Sequence, residues 1–153
     1  MDAEEPPMPR SRFPQFEVDP SRVTLGDFLG KGAFGIVYRA TLTRDDGTKD
    51  VVVKTVKENA SEEEKLLFLE EISAIVNLGV HENLLGLVNC CTVRDHLYLI
   101  TEFMPYGDLK SFLTKCRQKK TFGEPRDEIY NFEEMNMYQV ARQIAEGMVS
   151  IKH

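Results

Sequence analysis

A chain of 153 residues, 42% hydrophobic and 29% charged, fits one ordinary globular domain with a core of its own. Its net charge of -6 argues against non-specific binding to nucleic acid or to an anionic membrane, so phosphate recognition, if present, must be local. No apolar run is long enough to span a bilayer and the N-terminus lacks a signal-peptide core; Cys90, Cys91 and Cys116 have neither zinc-ligand spacing nor an even count, so free buried thiols in a reducing, cytoplasmic setting are expected.

Met1 to Pro20 holds five of the seven prolines together with acids and few aliphatics, and residues 1–21 read as a mobile tail in which Phe13 and Phe16 are the side chains able to touch the folded domain. Val23 to Leu29 and Ile36 to Leu42 read as strands. In the second, Ile36, Tyr38, Ala40 and Leu42 alternate with Val37, Arg39 and Thr41. Between them lies Leu29-Gly30-Lys31-Gly32-Ala33-Phe34-Gly35-Ile36-Val37, a G-x-G-x-x-G loop whose glycines keep Cβ atoms away from a polyphosphate at three points. Dinucleotide-binding folds carry the same spacing on a strand that turns directly into a helix, with an acid about twenty residues on. Here a strand comes after Gly35, which disfavours a glycine-loop oxidoreductase. The turn Asp45-Asp46-Gly47 leads to a third strand, Val51 to Lys57, in which Lys54 and Lys57 point to opposite faces.

Ser61 followed by Glu64 is a capping box, the first turn is acidic, and Gly79 supplies the stop, so a helix runs between them. The spacing puts Glu64, Leu67, Phe68, Glu71, Ile75 and Leu78 on one face. A carboxylate within that stripe is costly unless a cation meets it; the alternative is that Glu71 lies at the edge and reaches solvent. His81 is expected to be structural. Strands at about Leu85 to Thr92 and Leu97 to Glu102, joined by the turn Val93 to His96, complete a five-stranded antiparallel sheet. Asp108 can cap a helix whose apolar face is Leu109, Phe112, Leu113 and Cys116. Residues 118–131 are polar and read as a surface insert bearing Tyr130, an accessible candidate for phosphorylation. From Phe132 a last helix presents Met137, Val140, Ala141, Ile144, Met148 and Ile151 on one side.

The glycine loop followed by a strand reading Val51-Val52-Val53-Lys54 resembles the N-lobe of protein kinases. The approach from Phe16 to Gly26 resembles that of receptor tyrosine kinases, and the words Gly107-Asp108-Leu109 and Phe112-Leu113 resemble tyrosine kinases more than serine/threonine kinases. The resemblance implies an α+β fold: a kinase-like N-lobe over residues 22–102 with five strands and the helix called αC, a hinge at 103–107, and the start of a helical C-lobe over 108–153. It implies that Lys54 and Glu71 form a supporting ion pair. It further implies that Leu29, Gly30, Lys31, Gly32, Ala33, Phe34, Gly35, Val37, Lys54, Thr101 as gatekeeper, and the main chains of Glu102 and Met104 bind ATP.

His-Arg-Asp and Asp-Phe-Gly do not occur in the sequence, so no general base and no metal ligand is assigned; the family's magnesium ligands and activation segment are expected beyond His153. The function implied is that of the ATP-binding portion of a protein tyrosine kinase, catalytically incomplete as written. Its partners would be ATP, with Mg2+ and protein tyrosine substrates in the intact kinase, a kinase dimer partner, and no nucleic acid. Its place would be the cytoplasm, or the cytoplasmic face of the plasma membrane if a receptor portion exists. The alternative is a non-catalytic module that binds nucleotide or a partner kinase.

Overall fold

A computed structural model of the chain describes residues 10–32, 35–93, 96–105, 107, 109–122 and 134–152. The chain divides into two compact units, one comprising Met1–Val80 and Leu85–Phe103, the other His81–Leu84 and Met104–His153. The cut between Phe103 and Met104 falls inside the stretch expected as a hinge. Grouping His81–Leu84 with the second unit departs from the expected boundaries.

The first unit carries the sheet, in the order β1-β2-β3-β5-β4, with every neighbouring pair antiparallel. Its strands are β1 (Val23–Lys31), β2 (Ile36–Arg44), β3 (Gly47–Thr55), β4 (Leu87–Cys91) and β5 (Tyr98–Glu102). The third strand starts earlier and stops sooner than expected. Arg44 pairs directly with Gly47, whose φ of 135° suits glycine, so the turn occupies only Asp45 and Asp46 and the polar residues after it join the ladder. Alternation then sorts the side chains. Ala40, Leu42, Val51, Val53, Tyr98 and Ile100 build a core on one face. Leu99 and Cys90 point to the other face, where they meet α1 (Glu62–Leu78).

The capping box of α1 is present: Glu64 N donates to Ser61 Oγ at 3.1 Å and Ser61 N donates to Glu64 Oε2 at 3.2 Å. The expected apolar face is displaced. Phe68 and Ile72 are the buried residues of the helix, with Leu69, Ile75 and Val76 packed beside them, whereas Leu67 is 52% and Leu78 40% exposed. Apolar residues occur nearly all round this helix, so the three-to-four spacing admits more than one stripe. The sheet selects the one centred on Ile72, and Glu71 sits at its exposed edge.

The expected mobile tail is corrected from residue 10 onward. Phe13 is 7% exposed and packs with Phe68, Ile72, Cys90 and Leu99. Cys90 N donates to Phe16 O and Val18 N donates to Cys90 O, both at 2.9 Å, so the segment lies along the edge strand β4 with Glu17 bridged to Cys90 in parallel sense. This strap covers main-chain groups that an edge strand would otherwise present to solvent.

In the second unit, α2 spans Leu109–Phe122 and α3 spans Glu134–Lys152. The former runs into the stretch expected as an insert from residue 118, because Gln118, Lys119 and Lys120 are good helix formers and no breaker precedes Gly123. Cys116 is buried, whereas Met137, Ile144 and Met148, on the expected apolar side of α3, are exposed. Gly147 allows a close approach: a Cβ there would stand 3.2 Å from Asn83 O, and Asn83 Nδ2 donates to Glu146 at 3.2 Å. His81 Nδ1 accepts from Asn83 N at 3.0 Å. Tyr130, the expected cap Asp108, Tyr106, Arg94, Asp95 and His153 lie outside the described residues. Among the described residues, no helix is long and apolar enough to cross a membrane.

Candidate functional site

The site grows from the β1–β2 hairpin and the end of β3. Gly32 N donates to Gly35 O at 2.9 Å and closes the hairpin tip. The glycines do different work. A Cβ on Gly35 would stand 2.8 Å from Thr55 O and 3.4 Å from Lys54 Cε, so this position is bare because β3 passes against it. Among the described residues, a Cβ on Gly30 would meet nothing within 4 Å, and on Gly32 only Gly35 O at 4.0 Å. At those two positions the open side remains free for a ligand, as a phosphate cradle requires.

Register places Val37 opposite Lys54, Lys54 opposite Leu99, and Val52 opposite both Arg39 and Thr101. Residues paired this way share a face, so Val37, Val52, Lys54, Leu99 and Thr101 line the side of the sheet on which α1 packs. There Lys54 Nζ donates to both oxygens of Glu71 at 2.8 and 2.9 Å. The expected ion pair is thus formed, from a glutamate half in solvent rather than one buried within a stripe. Thr101 is 7% exposed. The Glu102 carboxylate is engaged by Lys49 at 3.2 Å, so the nucleotide contact expected of this residue concerns its main chain. Leu29 is 49% exposed on β1. Met104 belongs to the second unit, where its carbonyl accepts from Gly107 N at 3.1 Å. Ala33 and Phe34, expected at the loop tip, lie outside the described residues.

The opposite face of the sheet carries a second basic feature. A cleft of about 680 Å³ is lined by Ile36, Tyr38, Thr55 and Tyr98 and rimmed by Lys31, Lys57 and Glu58, with Lys65 reaching it from the first turn of α1. Lys57 thus lies away from Lys54, as the alternation predicts, and Lys31, expected among the nucleotide contacts, also borders this cleft. Among the described residues, no group of three or more histidine, cysteine or acidic side chains is placed to hold a metal ion.

Sequence reasoning missed Glu17. Its Oε1 accepts from Thr92 N at 2.7 Å and Val93 N at 3.1 Å; its Oε2 accepts from Thr92 Oγ1 at 2.7 Å, Ser11 Oγ at 2.9 Å and Cys90 Sγ at 3.6 Å. Burial first, and this carboxylate second, push the Cys90 and Cys91 thiols up to about 12. The available signal was Phe16 and Val18 flanking Glu17, a short alternation within a proline-rich stretch.

Comparison with known proteins gives the same frame. The family model for protein tyrosine and serine/threonine kinases matches residues 23–153. The chain is 33% identical to the myoblast growth factor receptor egl-15 of Caenorhabditis elegans, over 88% of the chain and 15% of that receptor. It is 35% identical to the platelet-derived growth factor receptor alpha of Takifugu rubripes, over 82% of the chain and 12% of the receptor. With the tyrosine-protein kinase Fer of Rattus norvegicus it shares 41% identity, over 74% of the chain and 13% of that protein. The chain therefore spans less than a sixth of the length of these relatives.

Proposed function

Because the chain belongs to the protein tyrosine and serine/threonine kinase family, we propose that its first unit is the ATP-binding portion of a protein tyrosine kinase. The observation that carries this reading is the Lys54–Glu71 pair beside the root of the glycine hairpin. Lys54 supplies a fixed cation for the α and β phosphates, and Glu71 orients it. The main-chain N–H groups about Gly30 and Gly32 approach the phosphates from the open side of the hairpin. Leu29 and Val37 offer apolar surface to the base, Thr101 limits the depth of the pocket behind it, and the Glu102 main chain meets its polar edge. Ala33, Phe34 and Met104 join this set on the resemblance, as does Lys31 by its place in the loop.

When bound, ATP supplies the phosphoryl group and Mg2+ neutralises its charge; the residues of this chain bind and orient the nucleotide, and none is assigned to proton transfer. The tyrosine specificity is supported by relatives named as tyrosine kinases and by the Gly107-Asp108-Leu109 sequence. Protein tyrosine substrates and a kinase dimer partner belong to the same proposal, as does a reducing cytoplasmic setting, which three free buried cysteines favour.

Calorimetric titration of the full chain with MgATP tests the reading. Saturable binding that is lost in Lys54→Met is expected. Equal affinity in the variant would remove Lys54 from the phosphate site.

A further inference from the structure

The strap meets the sheet through a carboxylate that gathers five donors, and one of them is a side-chain hydroxyl from the strap itself. Ser11 Oγ donates to Glu17 Oε2 at 2.9 Å, stands 3.4 Å from Thr92 Oγ1, and accepts from Phe13 N at 2.9 Å. We propose that Ser11 is a phosphorylation site whose modification releases the strap, residues 10–20, from β4 and from the helix that carries Glu71.

Phosphorylation removes the Ser11 proton donor and substitutes a group of about -1.5 to -2 charge, with acceptor oxygens only, against a carboxylate. Attraction becomes repulsion at hydrogen-bond distance, in a half-buried place where water screens it poorly. The neighbouring hydroxyl and amides of Thr92 and Val93 are already committed to Glu17, so they cannot all turn to the phosphate without abandoning the carboxylate.

The strain cannot be absorbed at Ser11. Its Oγ holds the amide of Phe13, and the Phe13 ring packs with Phe68 and Ile72. Those residues flank Glu71 on α1, so departure of the strap removes packing from the part of the helix that holds the carboxylate beside Lys54. Arg10 and Arg12, both exposed, flank Ser11 and suit a serine-directed kinase with an acidic peptide groove. Such an enzyme, using ATP, forms the Ser11 Oγ–P bond as the bridging P–O bond to ADP breaks; the hydroxyl proton passes to its own base. Because Ser11 is half-buried when docked, the enzyme acts on the undocked strap and traps it there. The proposal stands apart from the nucleotide reading, since strap docking is observable without ATP.

The test uses the full chain with phosphoserine installed at position 11, beside unmodified chain, Ser11→Ala, and phosphoserine combined with Glu17→Gln. Amide exchange at Thr92 and Val93 and alkylation of Cys90 by N-ethylmaleimide report docking; exchange in β2 and β3 reports the integrity of the sheet. Phosphoserine should raise both docking readouts by about tenfold or more, the factor carried by one pKa unit of differential charge interaction, with β2 and β3 unchanged. Ser11→Ala, which loses a hydrogen bond but adds no charge, should raise them less. Glu17→Gln should reduce the phosphoserine effect, because its amide can donate to the phosphate. Unchanged docking with phosphoserine, an equal effect of alanine, an undiminished effect with Glu17→Gln, or loss of protection throughout the sheet would each overturn the proposal. So would the absence of phosphate on Ser11 after incubation with a serine kinase selective for basic-flanked sites.

Discussion

Lys54 Nζ lies within 2.9 Å of both carboxylate oxygens of Glu71, although the two side chains keep 34% and 43% of their surface exposed. A pair so open to solvent contributes about 0–1 kcal/mol to stability. Its geometry is therefore better explained by positioning than by folding. Glu71→Gln should shift the thermal midpoint by only a few degrees while weakening MgATP binding by about tenfold, roughly 1.4 kcal/mol of lost orientation. A midpoint lowered by more than about 10 °C, beyond what 1 kcal/mol produces in a domain of this size, would mark the pair as structural.

Two glycines of one loop should respond oppositely to the same methyl group. Gly35→Ala drives a Cβ to 2.8 Å from the backbone oxygen of Thr55 and should cost about 1–3 kcal/mol in urea unfolding. Gly30→Ala meets no described atom within 4 Å and should stay within about 0.5 kcal/mol of the parent, while lowering nucleotide affinity. Equal destabilisation by both would show that Gly30 is also bare for packing reasons.

The thiols of Cys90 and Cys91 set an alkaline limit. Their ordinary value of 9.0 is pushed up to about 12 by burial and then by Glu17, so between these values the folded chain retains protons that the unfolded chain releases. The stability this difference supports is intact below 9.0 and declines as pH rises through the window. Urea midpoints across that range should fall less steeply in Cys90→Ala/Cys91→Ala than in the parent. Parallel profiles would exclude the thiols as the source.

The sheet is legible in the sequence wherever chemistry and period coincide. Ile36 to Leu42 alternates, the glycine loop and Asp45-Asp46 punctuate, and Ser61 with Glu64 announces the helix. The pairing of Lys54 with Glu71 is legible through resemblance, not through helix periodicity. Periodicity placed Leu67 and Leu78 inward and missed Ile72, since α1 is apolar on too many sides for spacing to choose its buried stripe. The strap is illegible for a different reason. Prolines and acids give residues 1–20 the composition of a tail, yet Phe13, Phe16 and Val18, the main-chain bonds to Cys90 and the Glu17 carboxylate dock residues 10–20. That docking depends on donors from Thr92 and Val93, about eighty positions away, which no local pattern reveals.

The central claim is that phosphates are held on the sheet face of Lys54 and not in the basic cleft on the other side. An ATP acyl phosphate, which acylates a lysine amine lying beside its phosphate chain, reads this directly when the modified residue is identified by mass spectrometry. The account predicts acylation of Lys54 in the full chain, suppressed by excess MgATP, with Lys57 and Lys65 modified weakly and without nucleotide protection. Protected acylation of Lys57 or Lys65 in place of Lys54 would put the phosphates on the opposite face and contradict the account.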